Sequence, residues 1–76
     1  MKEFLLSIIK EMVDYPERIS VEEIKMEGAL LLKINSDSSD IGKLIGKGGK
    51  NAEAIRTICI AVASKRRIKI LVEIPR

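Results

Sequence analysis

Apolar residues along this chain recur in two rhythms, and the switches between them divide it into helices and strands. Phe4, Leu5, Ile8, Ile9 and Met12 fall at i, i+1, i+4, i+5 and i+8, the stripe of an opening helix that Pro16 ends. Ile24 and Met26 then alternate with charged neighbours, as do Leu30, Leu32 and Ile34 with less polar ones. Glu27-Gly28 between these runs predicts a β-hairpin. Val21 is out of phase with Ile24, which predicts a bulge near Glu22-Glu23 or a strand that starts late. Residues 36–40 supply turn and N-cap residues ahead of a short helix over about residues 39–45. Ala52, Ile55, Ile58, Cys59 and Val62 mark a longer helix of about four turns. Lys65-Arg66-Arg67 falls in its last turn, where cations oppose the negative end of the dipole. Ile68, Ile70, Val72 and Ile74 alternate as a last strand.

The predicted order is helix, strand, strand, helix, helix, strand, an α+β arrangement with three helices packed on one face of a three-stranded sheet. The two middle helices run antiparallel, so the last strand returns parallel to one hairpin strand and the sheet is mixed. Residues 1–76 are expected to form one domain, of a size that buries only about 60% of its unfolded surface. Association with another chain would add to so small a core.

Between the two middle helices stands Gly46-Lys47-Gly48-Gly49. A simple turn needs one C-cap glycine, whereas this joint has three, ringed by Lys43, Lys47 and Lys50. Missing Cβ atoms let another polymer approach closely. The second helix starts at once, so the N–H groups of Gly49 to Asn51 and the positive dipole end are expected to meet phosphate. The charge distribution points the same way. Residues 1–40 hold five Lys/Arg against nine Asp/Glu, a net −4, while residues 41–69 hold eight against Glu53 alone, a net +7. A positive field concentrated on the segment that contains the glycine joint is the footprint of a polyanion partner.

Rival chemistries fail on spacing. Gly42 and Gly46 are separated by three residues where a P-loop has four, and Lys47 is followed by Gly48, so no P-loop is present. The third glycine of a dinucleotide fingerprint would be Asn51, and a helix precedes the joint where a strand is required. There is no histidine and one thiol, Cys59, which reads as core; no metal, cofactor or small-molecule substrate is expected. Glu22 and Glu23 are adjacent on a strand and point to opposite faces. The chain is expected not to be an enzyme. No run reaches the roughly 18 apolar residues of a membrane span, and no basic leader with a cleavage site is seen, so a cytoplasmic location is expected.

The string Leu44-Ile45-Gly46-Lys47-Gly48-Gly49-Lys50-Asn51-Ala52-Glu53-Ala54-Ile55 resembles the KH signature, in which GxxG is flanked by isoleucines. Asp14-Tyr15-Pro16-Glu17, Asp40-Ile41-Gly42-Lys43 and the closing β-branched strand extend the resemblance to small stand-alone bacterial KH proteins over nearly the whole chain. It departs at Gly48, where a polar residue is usual. The resemblance implies the second KH topology (type II, αββααβ) and a non-catalytic protein that clamps the backbone of about four single-stranded RNA nucleotides. Carried over residue by residue, it implies RNA contact by Ile41, Gly42, Lys43, Ile45, Gly46, Lys47, Gly48, Gly49, Lys50, Asn51 and Ile55. With only Phe4 and Tyr15 as aromatics, bases would lie against aliphatic side chains and not on stacking platforms. The resemblance further implies an RNA chaperone that pairs with a larger KH protein and is linked to cell-wall homeostasis and cell length.

A second face of the long helix suggests a protein partner. Thr57, Ile60, Ala61 and Ser64 recur at i, i+3, i+4 and i+7 as a small-residue seam for a dimer, homotypic or heterotypic. A protein-interaction module with secondary RNA binding, or a binder of single-stranded DNA, is the alternative reading.

Overall fold

The computed structural model describes residues 1–75. Helix α1 (Lys2–Lys10) carries Glu3 in its first turn and Lys10 in its last, each opposing the dipole, and buries Leu5 and Ile9, one turn apart. It stops well before Pro16. The Glu11 and Met12 N–H groups reach back only to the carbonyls of Ile8 (3.3 Å) and Ile9 (2.9 Å), which tightens the chain into a turn. A 3₁₀ turn (Pro16–Arg18) leads into β1 (Ser20–Met26) and β2 (Ala29–Asn35), and β3 (Ile70–Glu73) completes a sheet of order β1-β2-β3. β1 and β2 are antiparallel, β2 and β3 parallel. Helices α2 (Ile41–Ile45) and α3 (Lys50–Lys65) lie between β2 and β3 in the chain. This is the α+β, mixed-sheet architecture that the periodicities predict.

The sheet corrects one expectation. Pairing runs unbroken from Ser20 opposite Asn35 to Met26 opposite Ala29, with no bulge at Glu22-Glu23. Val21 pairs with Ile34, and both are buried in the core with Leu32, Ile70 and Ile74. Ile24 pairs with Leu31, which pairs with Leu71, and Ile24 and Leu71 are exposed on the opposite face. The phase change therefore records a strand whose apolar residues switch faces. Pleat alternation places residues 21 and 24 on different sides without an inserted residue.

Helix α3 buries mostly small side chains. Its buried positions are Ala52, Ile55, Cys59 and Ala63, while Ile58 is exposed and Val62 half-buried. The small side chains form the contact stripe, so the apolar face is rotated from the expected one. Burial pushes the Cys59 thiol up from its ordinary range, consistent with an inert packing residue. At the other end of the expected last strand, pairing begins at Ile70, and Ile68 belongs instead to the cap of α3.

One buried charge joins these parts. Ahead of α2 lies a 3₁₀ turn (Ser38–Asp40) whose N-cap is Asp37, accepting the Ser39 N–H at 3.1 Å. Asp40 is thereby released from local capping and is 0% exposed. Its carboxylate accepts the Asp14 N–H at 3.1 Å and the Tyr15 N–H at 3.0 Å, which ties the segment after α1 to the start of α2. Asp40→Ala should destabilise the fold by about 2–4 kcal/mol, because two backbone donors lose a charged acceptor in a closed environment. Asp40→Asn should retain part of this through its amide oxygen. Urea denaturation measures both; a stability for Asp40→Ala within about 0.5 kcal/mol of the parent would contradict this role.

Candidate nucleic-acid interface

The turn between α2 and α3 is set by a glycine that no other residue can replace without movement. Gly46 has φ 75° and ψ 168°, a region open only to glycine. A Cβ placed there would lie 2.7 Å from Asn51 Cγ and 2.9 Å from both its Cβ and its backbone nitrogen. Asn51 is held in this position because its Nδ2 donates to the Lys43 carbonyl at 2.8 Å, while the Gly46 N–H donates to the Gly42 carbonyl at 2.8 Å. The end of α2 and the start of α3 are thus bracketed together. Asn51 works here through its side chain as a brace, a role distinct from the phosphate contact expected of its N–H.

Gly48 (φ 65°, ψ 17°) and Gly49 (φ 78°, ψ 12°) follow in the left-handed region, and a Cβ on either would meet nothing within 4 Å. This side of the loop is open. The backbone donors are less free than the sequence suggests. The Gly49 N–H bonds to the Gly46 carbonyl at 3.0 Å and the Lys50 N–H bonds to the Lys47 carbonyl, so the tight 3₁₀ turn uses both itself. Positive charge beside the open face comes from the exposed side chains of Lys47 and Lys50.

Other sequence-predicted residues are distributed unevenly. Ile41 and Ile45 are half-buried and Gly42 is exposed, all on α2. Lys43 forms an ion pair with Asp14, whose carboxylate raises the lysine pKa. Both partners are exposed, so solvent screens the pair and Lys43 can exchange Asp14 for another anion. Ile55 is 3% exposed and packs in the core, so it offers no contact surface. Its place beside the loop is taken by residues that the sequence reading does not assign to the site. Ala52, Arg56, Ile74 and Pro75 join Ile45 and Gly49 around a groove of ≈ 220 Å³. Arg56, Ile74 and Pro75 also line a second hollow of ≈ 470 Å³, with Lys33, Asn35, Val72 and Glu73. The Arg56 Nε donates a long bond to the Val72 carbonyl at 3.4 Å, bridging α3 to β3. Only the parallel return of β3 brings Ile74 and Pro75 next to the glycine loop, a juxtaposition that no local pattern encodes. Thr57, Ile60, Ala61 and Ser64 are all exposed on α3, with Ile60 55% accessible.

A GxxG joint between two helices, an aliphatic groove closed by a parallel third strand, and the order αββααβ together define a type II KH domain. The family model for the KhpA/KhpB KH domain matches residues 2–74. The RNA-binding protein KhpA of Chlamydia trachomatis serovar D is 40% identical over 74 residues, spanning 97% of this chain and 95% of its own. Those of Listeria monocytogenes serovar 1/2a and Clostridium perfringens are 42% and 43% identical, with 97% of this chain covered and 97% and 99% of theirs. The chain belongs to the KhpA/KhpB KH-domain family, which is non-enzymatic. No solved structure matches it significantly.

The bracket predicts an ordering of glycine substitutions. Gly46→Ala should destabilise by at least about 2–3 kcal/mol, from a forbidden backbone region compounded by the collision with Asn51. Gly48→Ala meets no neighbour and should lose only about 1 kcal/mol for its left-handed backbone. Thermal melts that ranked the two equally would count against the bracket.

Proposed function

We propose that this protein binds single-stranded RNA without catalysis, gripping the phosphate backbone at the open Gly48-Gly49 face and laying bases along the aliphatic groove beside it. The observation that carries this reading is the coincidence of that open face, the Lys47 and Lys50 ammonium groups and a groove walled by half-buried Ile45 and Pro75 over the largely buried Ala52 and Ile74. Ile41, Gly42, Lys43, Gly46 and Asn51 contribute by shaping or flanking the clamp. The names of the relatives, RNA-binding proteins, support the choice of polymer. Following the same family, the protein acts as an RNA chaperone in the cytoplasm together with a larger KhpB-like KH protein, in post-transcriptional regulation tied to cell-wall homeostasis and cell length.

Lys47→Asp with Gly48→Asp tests the clamp. Both positions are exposed, and aspartate is among the residues that visit the left-handed region, so the fold should persist while two carboxylates face the phosphates. Binding of labelled RNA should fall below detection by fluorescence anisotropy with the thermal transition intact. For the unmodified protein, log affinity against log salt should have a slope of about −2 to −3 if three or four phosphates of a single strand are neutralised. Equal or tighter binding of the matching DNA would redirect the reading to single-stranded DNA, and a salt-independent affinity would overturn the electrostatic account.

The exposed seam favours a partner on a different surface from the RNA. Ile60 projects from α3 among Thr57, Ala61 and Ser64, and the Ser64 hydroxyl is already satisfied by the Ala61 carbonyl at 2.9 Å. A second helix, from another copy or from the KhpB-like partner, would approach an apolar and small-residue surface. Ile60→Asp should convert a dimer to a monomer, since it sets a charge in the middle of a small interface where it must be desolvated. Sedimentation at high concentration decides the point: a monomeric parent, or a dimeric variant, would leave the seam without a role.

A further inference from the structure

At the end of α3 remote from the glycine loop, the chain makes a turn that its sequence does not favour. The Arg67 N–H bonds to the Ser64 carbonyl at 3.2 Å and the Ile68 N–H to the Ala63 carbonyl at 3.2 Å, the paired bonds of a Schellman cap. The residue in the left-handed position is then Arg67, at φ 56°, and it alone among the described non-glycine residues has positive φ. Glycine would relieve this strain and is the residue usually found there. Holding an arginine in such a conformation is a reason to ask what its guanidinium does.

Arg67 lies on the wall of a hollow of ≈ 380 Å³ between the α3 cap, the start of β3 and the hairpin tip. Lys25 and Lys69 stand on the same wall, and Met26 and Ile68 supply apolar surface, 49% and 42% exposed. Lys69 is fixed against the hairpin because its carbonyl accepts the Leu30 N–H at 2.9 Å. Lys65 and Arg66 are exposed close by in the chain. Glu23 and Glu27 flank Lys25 two residues away on either side, and neither is paired with any of these cations; the ion pairs among the described residues are Arg18–Asp37 and Lys43–Asp14. Three cations that have no ion-pair partner among the described residues, set around an accessible apolar floor, match a phosphodiester with its base laid inward. The planar guanidinium also suits bidentate phosphate contact.

We infer that this hollow is a second contact site for single-stranded RNA, engaged by nucleotides beyond those held at the glycine loop. The inference rests on the RNA-binding reading above. At 1.5 Å per residue the 16 residues of α3 separate the two sites by about 24 Å. A strand stacked at about 3.4 Å per nucleotide needs about seven further nucleotides to reach it. An RNA of about four nucleotides fills the clamp alone, whereas one of about twelve reaches both.

The test compares these two lengths by fluorescence anisotropy across a salt series, with the unmodified protein, Arg67→Gly, and the triple variant Lys25→Ala/Arg67→Gly/Lys69→Ala. The unmodified protein should bind the longer RNA more tightly than its extra registers at the clamp alone allow. The triple variant should bind the short RNA as before and lose most of the gain from length, with a salt slope on the longer RNA shallower by about 2 for three lost cations. Arg67→Gly should melt at a higher temperature yet bind the longer RNA several-fold more weakly, a combination that a structural or solubilising arginine would not produce. Since this single change relaxes the backbone, it keeps the test decisive even if the triple variant folds poorly. Unchanged affinity and slope for the longer RNA in Arg67→Gly and the triple variant would overturn the second site and leave the clamp standing. Failure of the unmodified protein to bind either RNA would overturn the RNA reading, and this inference with it.

Discussion

The fold turns on one carboxylate. Asp40 accepts the N–H groups of two residues in the segment after α1, 25 and 26 positions earlier in the chain, and this bond pair ties that segment to the start of α2. It fixes where α2 begins, and α2 is only five residues long, so its end, the glycine joint, is placed with little freedom. It also holds Asp14 where Lys43 can reach it. A charge this deeply enclosed is tolerable because its oxygens find donors, and no buried side-chain polar atom among the described residues lacks a partner. The two motifs around residues 14 and 40, separated in the chain, are one structural unit.

A chain of 76 residues has little core to spend on two functions, and α3 shows how it divides the work. Ala52, Cys59 and Ala63 bring the helix down onto the sheet, Arg56 leans toward β3, and Ile60 is left outside. The same helix starts at the glycine loop and ends at the strained cap. Its three sides face core, groove and solvent, so changes on one side are transmitted to the others only through the rigid helix itself.

What could be read from the sequence was what depends on local spacing. Helical and strand periods located α1, the hairpin, α3 and β3, and the glycine triplet with its lysines marked the joint. What escaped depends on pairing between distant segments. Val21 and Ile24 looked like evidence for a bulge because one strand with apolar residues on both faces produces the same phase break as an inserted residue. Ile55 has the spacing of both a core and a groove residue, and only the seating of α3 on the sheet decides for the core. Ile74 and Pro75 became groove residues through the parallel return of β3. Asp40 stands in a run of plausible caps, and no local spacing marks Asp37 for the capping role that leaves Asp40 to the long-range one. The Gly49 and Lys50 N–H groups look open in the sequence because the 3₁₀ turn that consumes them is invisible to composition.

The bracket around Gly46 bears on how the clamp meets a flexible ligand. Asn51 holds the carbonyl of Lys43 from across the turn, and the Gly49 and Lys50 N–H groups close the turn on itself. A loop built this way has little conformational entropy left to lose. When a disordered strand settles into it, ordering falls almost wholly on the strand and on the lysine side chains, while the backbone of the clasp is preorganised. Three glycines in four residues, which in a free peptide would give the loosest of hinges, are here the condition for a stiff one.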